Sequence, residues 1–399
     1  MNVLVLNCGS SSAKFAVIDA TNGAEAITGI AQRLGTAHAT LDWKHDGKKH
    51  SRDLHHADHA VALREMVELL RDARLVEGLA GVGHRVVHGG AKFSGSMPIT
   101  EEVEAKIREC IPLGPLHNPP NLEGITISRE LFPHLPQVAV FDTAFHQTMP
   151  SRAYLYAVPY EWFEKHEVRR YGFHGTSHRY VSGVAVERLH LDPANHALVT
   201  CHLGNGCSLA AVENGRSMDT TMGLTPLDGV VMGTRSGSID PSIVSHMKKA
   251  LHRSAEDVMD ALNRKSGLLG ISGLSNDMRT LQEAADAGHE RAALAIDKFC
   301  HSVAKAAAGM VVSLGRLDAL VFTGGIGENA VQVRGRIVEL LGFLGLRLDP
   351  AANAVHGRGQ DGRITLPGGP QAIVTPTNEE LMIAIDTAAI IAGGARSAA

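Results

Sequence analysis

Two stretches of this chain repeat one another. Met1-Asn-Val-Leu-Val-Leu-Asn-Cys-Gly-Ser-Ser-Ser-Ala-Lys-Phe-Ala-Val-Ile-Asp19 aligns with Ala197-Leu-Val-Thr-Cys-His-Leu-Gly-Asn-Gly-Cys-Ser-Leu-Ala-Ala-Val-Glu213, placing Gly9 on Gly204 and Val17 on Val212. Each copy reads as a buried strand, a small polar turn and an apolar return strand. In the first copy, residues 3–6 and 15–18 flank Gly9, Ser10, Ser11 and Ser12; in the second, Gly204, Asn205 and Gly206 form the turn. One copy alone is an ordinary tight hairpin, whereas two in register point to a duplicated fold. The turns suit an anion: glycine lets the backbone approach closely, serine amides and hydroxyls donate, and Lys14 adds a point charge. A nucleotide held between the two copies is the expectation.

At 399 residues the chain exceeds one typical core, so two domains of about 150 to 200 residues are expected. Hydrophobic residues at 44%, charged residues at 20% and a net charge of -4 describe a soluble protein with a small-molecule partner. They give no basis for nucleic acid or a membrane surface as partner. Cys8, Cys110, Cys201, Cys207 and Cys300 form no CxxC and no paired framework, which predicts free thiols in a reducing, cytoplasmic compartment. The first apolar residues run directly into the Gly-Ser turn, so they read as a strand and not a signal peptide. No apolar run is long enough to span a membrane.

The expected organisation is α/β, with residues 1–147 plus 377–399 as the N-terminal domain and residues 148–376 as the C-terminal domain. Residues 60–74 read as a helix presenting Val61, Met66, Leu69 and Leu70 on one face. Residues 36–59 are polar and rich in histidine, so they read as a solvated excursion, and His55, His56, Asp58 and His59 there carry no metal. Strands at 197–200 and 319–322 alternate with helices at 255–263 and 288–314, the pattern of α/β layering. A final helix, 378–391, follows Pro376 and carries Glu379 and Glu380 in its first turn. Acidic residues there suit the helix dipole, and they equally suit a cation held near phosphates.

A strand at 319–322 runs into Thr323-Gly-Gly-Ile-Gly-Glu-Asn-Ala330 and a following helical stretch, which turns backbone amides toward an anion. The Gly325–Ala330 segment also fits the dinucleotide fingerprint, with Asp349 downstream, but too little chain remains to complete a doubly wound domain. No Walker motif occurs, since Gly90-Ala-Lys-Phe-Ser-Gly95 is followed by Ser96. Three segments join cationic or titratable side chains to flexible backbone: His84-Arg-Val-Val-His-Gly-Gly90, Tyr171-Gly-Phe-His-Gly-Thr-Ser-His178 and Met232-Gly-Thr-Arg-Ser-Gly-Ser-Ile-Asp-Pro241. Phosphoryl transfer needs such groups around the equatorial oxygens, because positioning and charge neutralisation supply most of its catalysis. Asp142, closing the apolar run 138–141, sits where open α/β sheets place ligands.

Asn7-Cys-Gly-Ser-Ser-Ser-Ala-Lys14, Arg170-Tyr-Gly-Phe-His-Gly-Thr-Ser-His178, Met222-Gly-Leu-Thr-Pro-Leu-Asp-Gly, Gly233-Thr-Arg-Ser-Gly, Thr323-Gly-Gly-Ile-Gly-Glu-Asn and Pro376-Thr-Asn-Glu-Glu together resemble the acetate kinase family over nearly the whole chain. The resemblance implies the duplicated actin-like ATPase (ribonuclease H-like) fold of the sugar-kinase and heat-shock ATPase superfamily, with two domains around a nucleotide cleft. It implies reversible transfer of the ATP γ-phosphoryl to acetate, giving acetyl phosphate and ADP, in a homodimer whose interface lies in the C-terminal domain.

Carried over by motif, the resemblance implies that Asn7 and Glu379 hold magnesium, with manganese able to substitute, and that Lys14 reaches the phosphates. His202, Leu203, Gly204, Asn205, Gly206, Asp277, Met278, Arg279, Gly325, Ile326, Gly327, Glu328 and Asn329 line the nucleotide site. Arg85 takes the acetate carboxylate, and Val87, Leu116, Phe173 and Pro226 enclose its methyl group. His174 and Arg235 stabilise the phosphoryl in flight. The family gives Asp142 a catalytic role described as proton transfer. Acetate is already ionised near neutral pH, so organising metal-bound water or Arg85 is the alternative role.

Departures from the family pattern are Ala13 for leucine, Thr221 for serine and Ser238 for aspartate, none at a position with an assigned chemical role. Propionate kinases share the motifs, and one methylene in an apolar pocket discriminates by only about 1–3 kcal/mol, leaving the acyl chain open. The competing class is an actin-like ATPase switch. Such a protein has no need of Arg85, His174 and Arg235 around a small apolar pocket.

Overall fold

The computed structural model describes residues 1–397 and divides them into two compact units, Met1–Gln147 with the segment from Asn378 onward, and Thr148–Thr377. The first unit is built on an eight-stranded sheet and the second on a five-stranded one.

In the first unit the strands are β1 (Asn2–Gly9), β2 (Ser12–Asp19), β3 (Glu25–Gln32), β4 (Thr40–His45), β5 (Lys48–Asp53), β6 (Leu79–Val86), β7 (Met97–Pro98) and β8 (Gln137–Phe141). Their spatial order is β5-β4-β3-β2-β1-β6-β8-β7. The period-two alternation of β1 sorts its side chains onto two cores. Leu4 and Leu6 join Phe15, Val17, Ile27, Leu41, Leu63, Met66 and Leu70 on one face. Val3 and Val5 join Ala16, Ile18, Val138, Val140 and Ile383 on the other. That second core is closed by the helix Glu379–Ser397, which lies on β1, β6 and β8. Gly81 and Gly83 of β6 permit this seating, because a Cβ at either would collide with Ile391 or with Thr387 and Ile383.

The second unit contains β9 (Ala197–Leu203), β10 (Cys207–Glu213), β11 (Arg216–Thr220), β12 (Ala319–Thr323) and β13 (Gln371–Val374), in the order β11-β10-β9-β12-β13. This matches β3-β2-β1-β6-β8 of the first unit strand for strand. In both sheets the first three strands pair antiparallel and the next two join in parallel. The hairpin repeat is therefore the visible part of a repeat of two five-stranded sheets, the duplicated actin-like ATPase fold.

The turns differ in detail. Gly9 pairs with Ser12, leaving a two-residue loop of Ser10 and Ser11, whereas Leu203 pairs with Cys207 around the three-residue loop Gly204, Asn205, Gly206. Residues 36–59 are no solvated excursion. They supply β4 and β5 at the sheet edge and bury Ala39, Leu41, Ala57 and His59, because the alternation of Leu41 with polar neighbours is masked in the sequence by the surrounding histidines. Asp58 caps the helix His59–Asp72 by accepting from the Val61 amide, and His59 Nε2 lies 2.7 Å from the Gly9 carbonyl oxygen. Val61 is 40% exposed, so the buried face of that helix is made instead by Ala62, Leu63, Met66, Val67, Leu69 and Leu70. The residues after β12 form two helices, Gly324–Asn329 and Val331–Leu340, broken at Ala330. No helix among the described residues is long and apolar enough to cross a membrane.

Candidate functional site

In the first unit the parallel strands β1, β6 and β8 bring their C-terminal ends together, and the side chains there form one charged cluster. Arg85, on β6, donates from Nε to Asp142 Oδ1 at 3.0 Å and from Nη2 to Asp142 Oδ2 at 2.6 Å. Its Nη1 reaches Asn7 Oδ1 at 3.2 Å, and Glu379 Oε2 lies 4.0 Å from its Nε. Burial opposes the charge on Arg85, but Asp142 and Glu379 outweigh it and hold the guanidinium above its ordinary pKa. Burial likewise raises the carboxyl groups of Asp142 and Glu379, with Arg85 pulling against it in both and Glu380 adding repulsion at Glu379.

Lys14 is exposed on β2 opposite Asn7. Val87 is buried just beyond β6, its amide donating to Asn121 Oδ1, which a sequence reading had no means to find. Asn121 Nδ2 in turn donates to the Cys8 carbonyl at 2.7 Å, tying the glycine-serine turn to the segment after Arg85. Leu116 is 55% exposed.

The second unit holds the other candidates. A cavity of about 760 Å³ is lined by Gly204, Asn205, Asp277, Met278, Arg279, Gly325, Ile326 and Asn329, together with Asn276, Gln282 and residues 330–332. Eight residues named from the sequence thus meet around one cavity. The side chain of Asp277 caps the helix Met278–Asp286, accepting from the Thr280 amide at 2.8 Å, and these hydrogen bonds hold its carboxyl below the usual range. Leu203 and Gly327 are buried. Glu328 turns back into the loop, where Oε1 accepts from the Gly324 amide at 3.0 Å and the Thr377 amide at 3.3 Å. Its carboxylate therefore braces the glycine turn. Gly324 itself has φ +77° and lies against the Leu203 backbone, a position only glycine fills without strain.

Arg334 supports this loop from below. It is fully buried and donates to the carbonyl oxygens of Gly327 and Glu328 and to Asn353 Oδ1, at 2.9, 2.9 and 3.0 Å. Burial lowers its pKa to about 10. The arginine occurs in a helical stretch with no local motif, so its role was not legible in the sequence.

His174 and Arg235 converge on the second hairpin turn. A Cβ at Gly206 would lie 3.3 Å from Arg235 Nη1 and 3.6 Å from His174 Nε2. His174 sits in the left-handed region with φ 55° at the start of the helix Gly175–Arg188, and its ring stacks on His202 with centroids 4.2 Å apart. Arg235 Nη1 donates to the Pro226 carbonyl at 3.3 Å, and burial lowers its pKa, which favours pairing with an incoming anion. Phe173 is buried and Pro226 half-buried in the same unit. All five cysteines are buried, and burial pushes the thiols of Cys8 and Cys207 up to about 12, so neither is a nucleophile near neutral pH.

The chain is similar to known proteins over nearly its whole length. The chain is 52% identical to the acetate kinase of Deinococcus radiodurans over 393 residues, covering 98% of this chain and 99% of that one. Among solved structures it superposes on the acetate kinase of Porphyromonas gingivalis with a TM-score of 0.91 at 43% identity, covering 98% and 99% of the two chains. It superposes on a propionate kinase of Francisella tularensis with a TM-score of 0.92 at 46% identity, covering 96% and 98%. The acetokinase family model matches residues 2–385, and the chain, which carries that family's fold and motifs throughout, belongs to the acetokinase family.

Proposed function

We propose that this protein transfers the γ-phosphoryl group of ATP reversibly to acetate, forming acetyl phosphate and ADP. The observation that carries this reading is the convergence of Arg235 and His174 on Gly206 in a chain of this family. Two donors aimed at one glycine turn suit a phosphoryl group whose equatorial oxygens gather charge in the transition state. Arg85 takes the acceptor carboxylate with the guanidinium hydrogens that Asp142 leaves available. Val87, just beyond Arg85, supplies apolar surface for the methyl group. The nucleotide occupies the cavity between residues 204–205, 276–282 and 325–332.

Asp142 is already committed to Arg85 by two hydrogen bonds, and this supports its role as the group that orients the guanidinium over a role in proton transfer. The donor set of Asn7 and Glu379 consists of hard oxygens, and the raised carboxyl group of Glu379 is one a divalent cation would relieve, so magnesium or manganese fits here. When bound, the ion neutralises charge on the phosphate oxygens.

Propionate is the second reading, favoured by the likeness to the Francisella tularensis propionate kinase. A homodimer in the cytoplasm accompanies the proposal. Supporting the dimer, the helix Ser242–Leu251 buries no residue and exposes Ile243 and Leu251, and the next helix exposes Met259. The test is phosphoryl transfer from ATP to acetate, propionate and butyrate, with and without magnesium. Magnesium-dependent acyl phosphate with highest kcat/KM for acetate is expected; a maximum at propionate changes the substrate, and nucleotide hydrolysis indifferent to any acid overturns the reading.

A further inference from the structure

Strands β1 and β6 run parallel, and their ladder stops with Leu6 opposite His84. Carried two residues further in the same register, it would set Cys8 against Val86 and pair the Cys8 carbonyl with the Val87 amide, because the slanted bonds of a parallel ladder join a carbonyl to the amide one residue past its opposite number. Val86 itself faces the other way, its carbonyl accepting from the Asp142 amide just past β8 at 3.0 Å. That last rung is not made directly. The side chain of Asn121, buried in the helix Asn118–Leu131, stands in it: Val87 N–H donates to Oδ1 at 3.0 Å, and Nδ2 donates to the Cys8 carbonyl at 2.7 Å. A carboxamide carries the same acceptor and donor as a peptide group, so one inserted amide lengthens the rung and parts the two strand ends while leaving both backbone groups paired.

The parted ends carry different halves of the proposed reaction. β1 brings Asn7, the proposed cation ligand, and runs into the glycine-serine turn, whereas β6 brings Arg85 and leads to Val87, the proposed acceptor side. Each half has a hold of its own. The Gly9 carbonyl accepts from His59 Nε2 at 2.7 Å. On the other side Asn118 forms a reciprocal pair with His88, Oδ1 accepting from the amide at 3.1 Å and Nδ2 donating to the carbonyl at 2.9 Å. A second link between the halves, from Arg85 Nη1 to Asn7 Oδ1, uses groups that the acceptor and the cation would claim. The separation of the two ends is therefore left to Asn121.

We infer that Asn121 is a positioning residue for phosphoryl transfer, its carboxamide acting as the spacer that sets how far the acceptor carboxylate stands from the cation and the glycine-serine turn. This rests on the proposed roles of Arg85 and Asn7, and it names what keeps them at working distance. Loss of the spacer leaves each half anchored, by His59 and by Asn118, but lets one drift against the other. Binding of each substrate then survives while their alignment does not.

The test is steady-state transfer from ATP to acetate and to propionate in the wild type and in Asn121→Leu, which keeps the branched outline of asparagine and loses both hydrogen bonds. The expected result is a kcat for acetate about tenfold to a hundredfold lower, the scale on which a misplacement of about 1 Å acts, with ATP and acetate KM within about threefold. Acetate has the shorter tail and loses more when the ends drift, whereas propionate fills the slack with one more methylene, so the propionate-to-acetate ratio of kcat should rise by about threefold or more. A loss of folded protein lowers both acids by one factor and leaves that ratio where it was, and this result would overturn the inference. An unchanged kcat, or an acetate KM that rises alone, would overturn it as well. Asn121→Ala supplies the same comparison where the leucine is not accommodated. A wild type that phosphorylates neither acid overturns the proposed acceptor site and the inference with it, and that result is read before any variant is compared.

Discussion

The carboxylate of Asp142 grips Arg85 at both Nε and Nη2, at 3.0 and 2.6 Å, and so occupies the face of the guanidinium that a substrate carboxylate would also seek. Acetate held by Arg85 in the proposed way would either displace Asp142 or approach through Nη1, where Asn7 Oδ1 stands at 3.2 Å. Asp142→Asn keeps the shape and removes the charge, leaving Arg85 poorly oriented. The expected outcome is an acetate KM raised about tenfold to a hundredfold with a smaller change in kcat. A large fall in kcat at unchanged KM, measured by steady-state kinetics, would return Asp142 to a role in the chemical step.

Arg235→Ala should lower kcat by about three to five decades, the scale of an arginine that neutralises a phosphoryl in flight. Arg235 makes its hydrogen bond to the Pro226 carbonyl and lies half-buried, so the thermal unfolding midpoint should move little. A loss of tenfold or less would place Arg235 outside the transition state.

Arg334→Met removes the buried fork that holds the carbonyl oxygens of Gly327 and Glu328. The loop over the nucleotide cavity then loses its support from below. ATP KM should rise about tenfold with acetate KM unchanged, since 1.4 kcal/mol of lost ground-state binding is roughly that factor. Equal effects on both substrates would mean a global loss of structure.

Two groups of buried residues give opposite pH dependences, and variants separate them. His84 is buried, hydrogen-bonded to Gln137 Oε1 and held down to about 4 by desolvation from an unfolded value of 6.5. The unfolded chain binds the proton first, so stability is full above 6.5 and falls as pH drops toward 4. The loss approaches about 3 kcal/mol. His84→Gln should flatten this part of the stability curve in urea titrations, and an unaltered curve would show that His84 does not titrate on unfolding.

Asp142 and Glu379 act in the other direction. Their raised carboxyl groups keep protons that the unfolded chain has already released, so stability falls as pH rises through the interval above the ordinary carboxylate range. Glu379→Gln should raise the thermal midpoint near pH 8 relative to the wild type, and added magnesium should raise the wild-type midpoint more than that of the variant. Equal magnesium shifts in both proteins would remove Glu379 from the cation site.

The duplication was legible because Gly9 and Gly204 sit in the same local setting of apolar strands, and local patterning survives in a linear reading. Asp142 at the end of β8 and the turns at Gly204 and Gly325 were legible for the same reason, whereas Asp277, Met278 and Arg279, at a helix start on the same cavity, were named only through the family resemblance. The edge strands β4 and β5 were not. Edge strands have one solvated side, and their polar, histidine-rich composition resembles a loop until Leu41 is seen against Ile27 and Phe15. Val61 was misplaced because at about 100° per residue it lies roughly opposite Leu70, off the face that Met66, Leu69 and Leu70 share.

By itself the sequence determined the repeat, the α/β alternation and the set of chemical groups brought by the motifs, because these depend on residue type and short-range spacing. Only the tertiary structure decided how those groups are engaged. Arg85 is held by Asp142, Glu328 by the Gly324 amide, Asp277 by its own helix and His174 by Ser208. The pairs Arg85–Asp142 and His174–Ser208 join residues 57 and 34 positions apart, brought together by strand register and helix packing, while the other two lie within four residues, and hydrogen bonds choose among donors by distances of a few tenths of an ångström. Such distances are fixed only when the sheets and helices have packed, so the allocation of donors belongs to the fold.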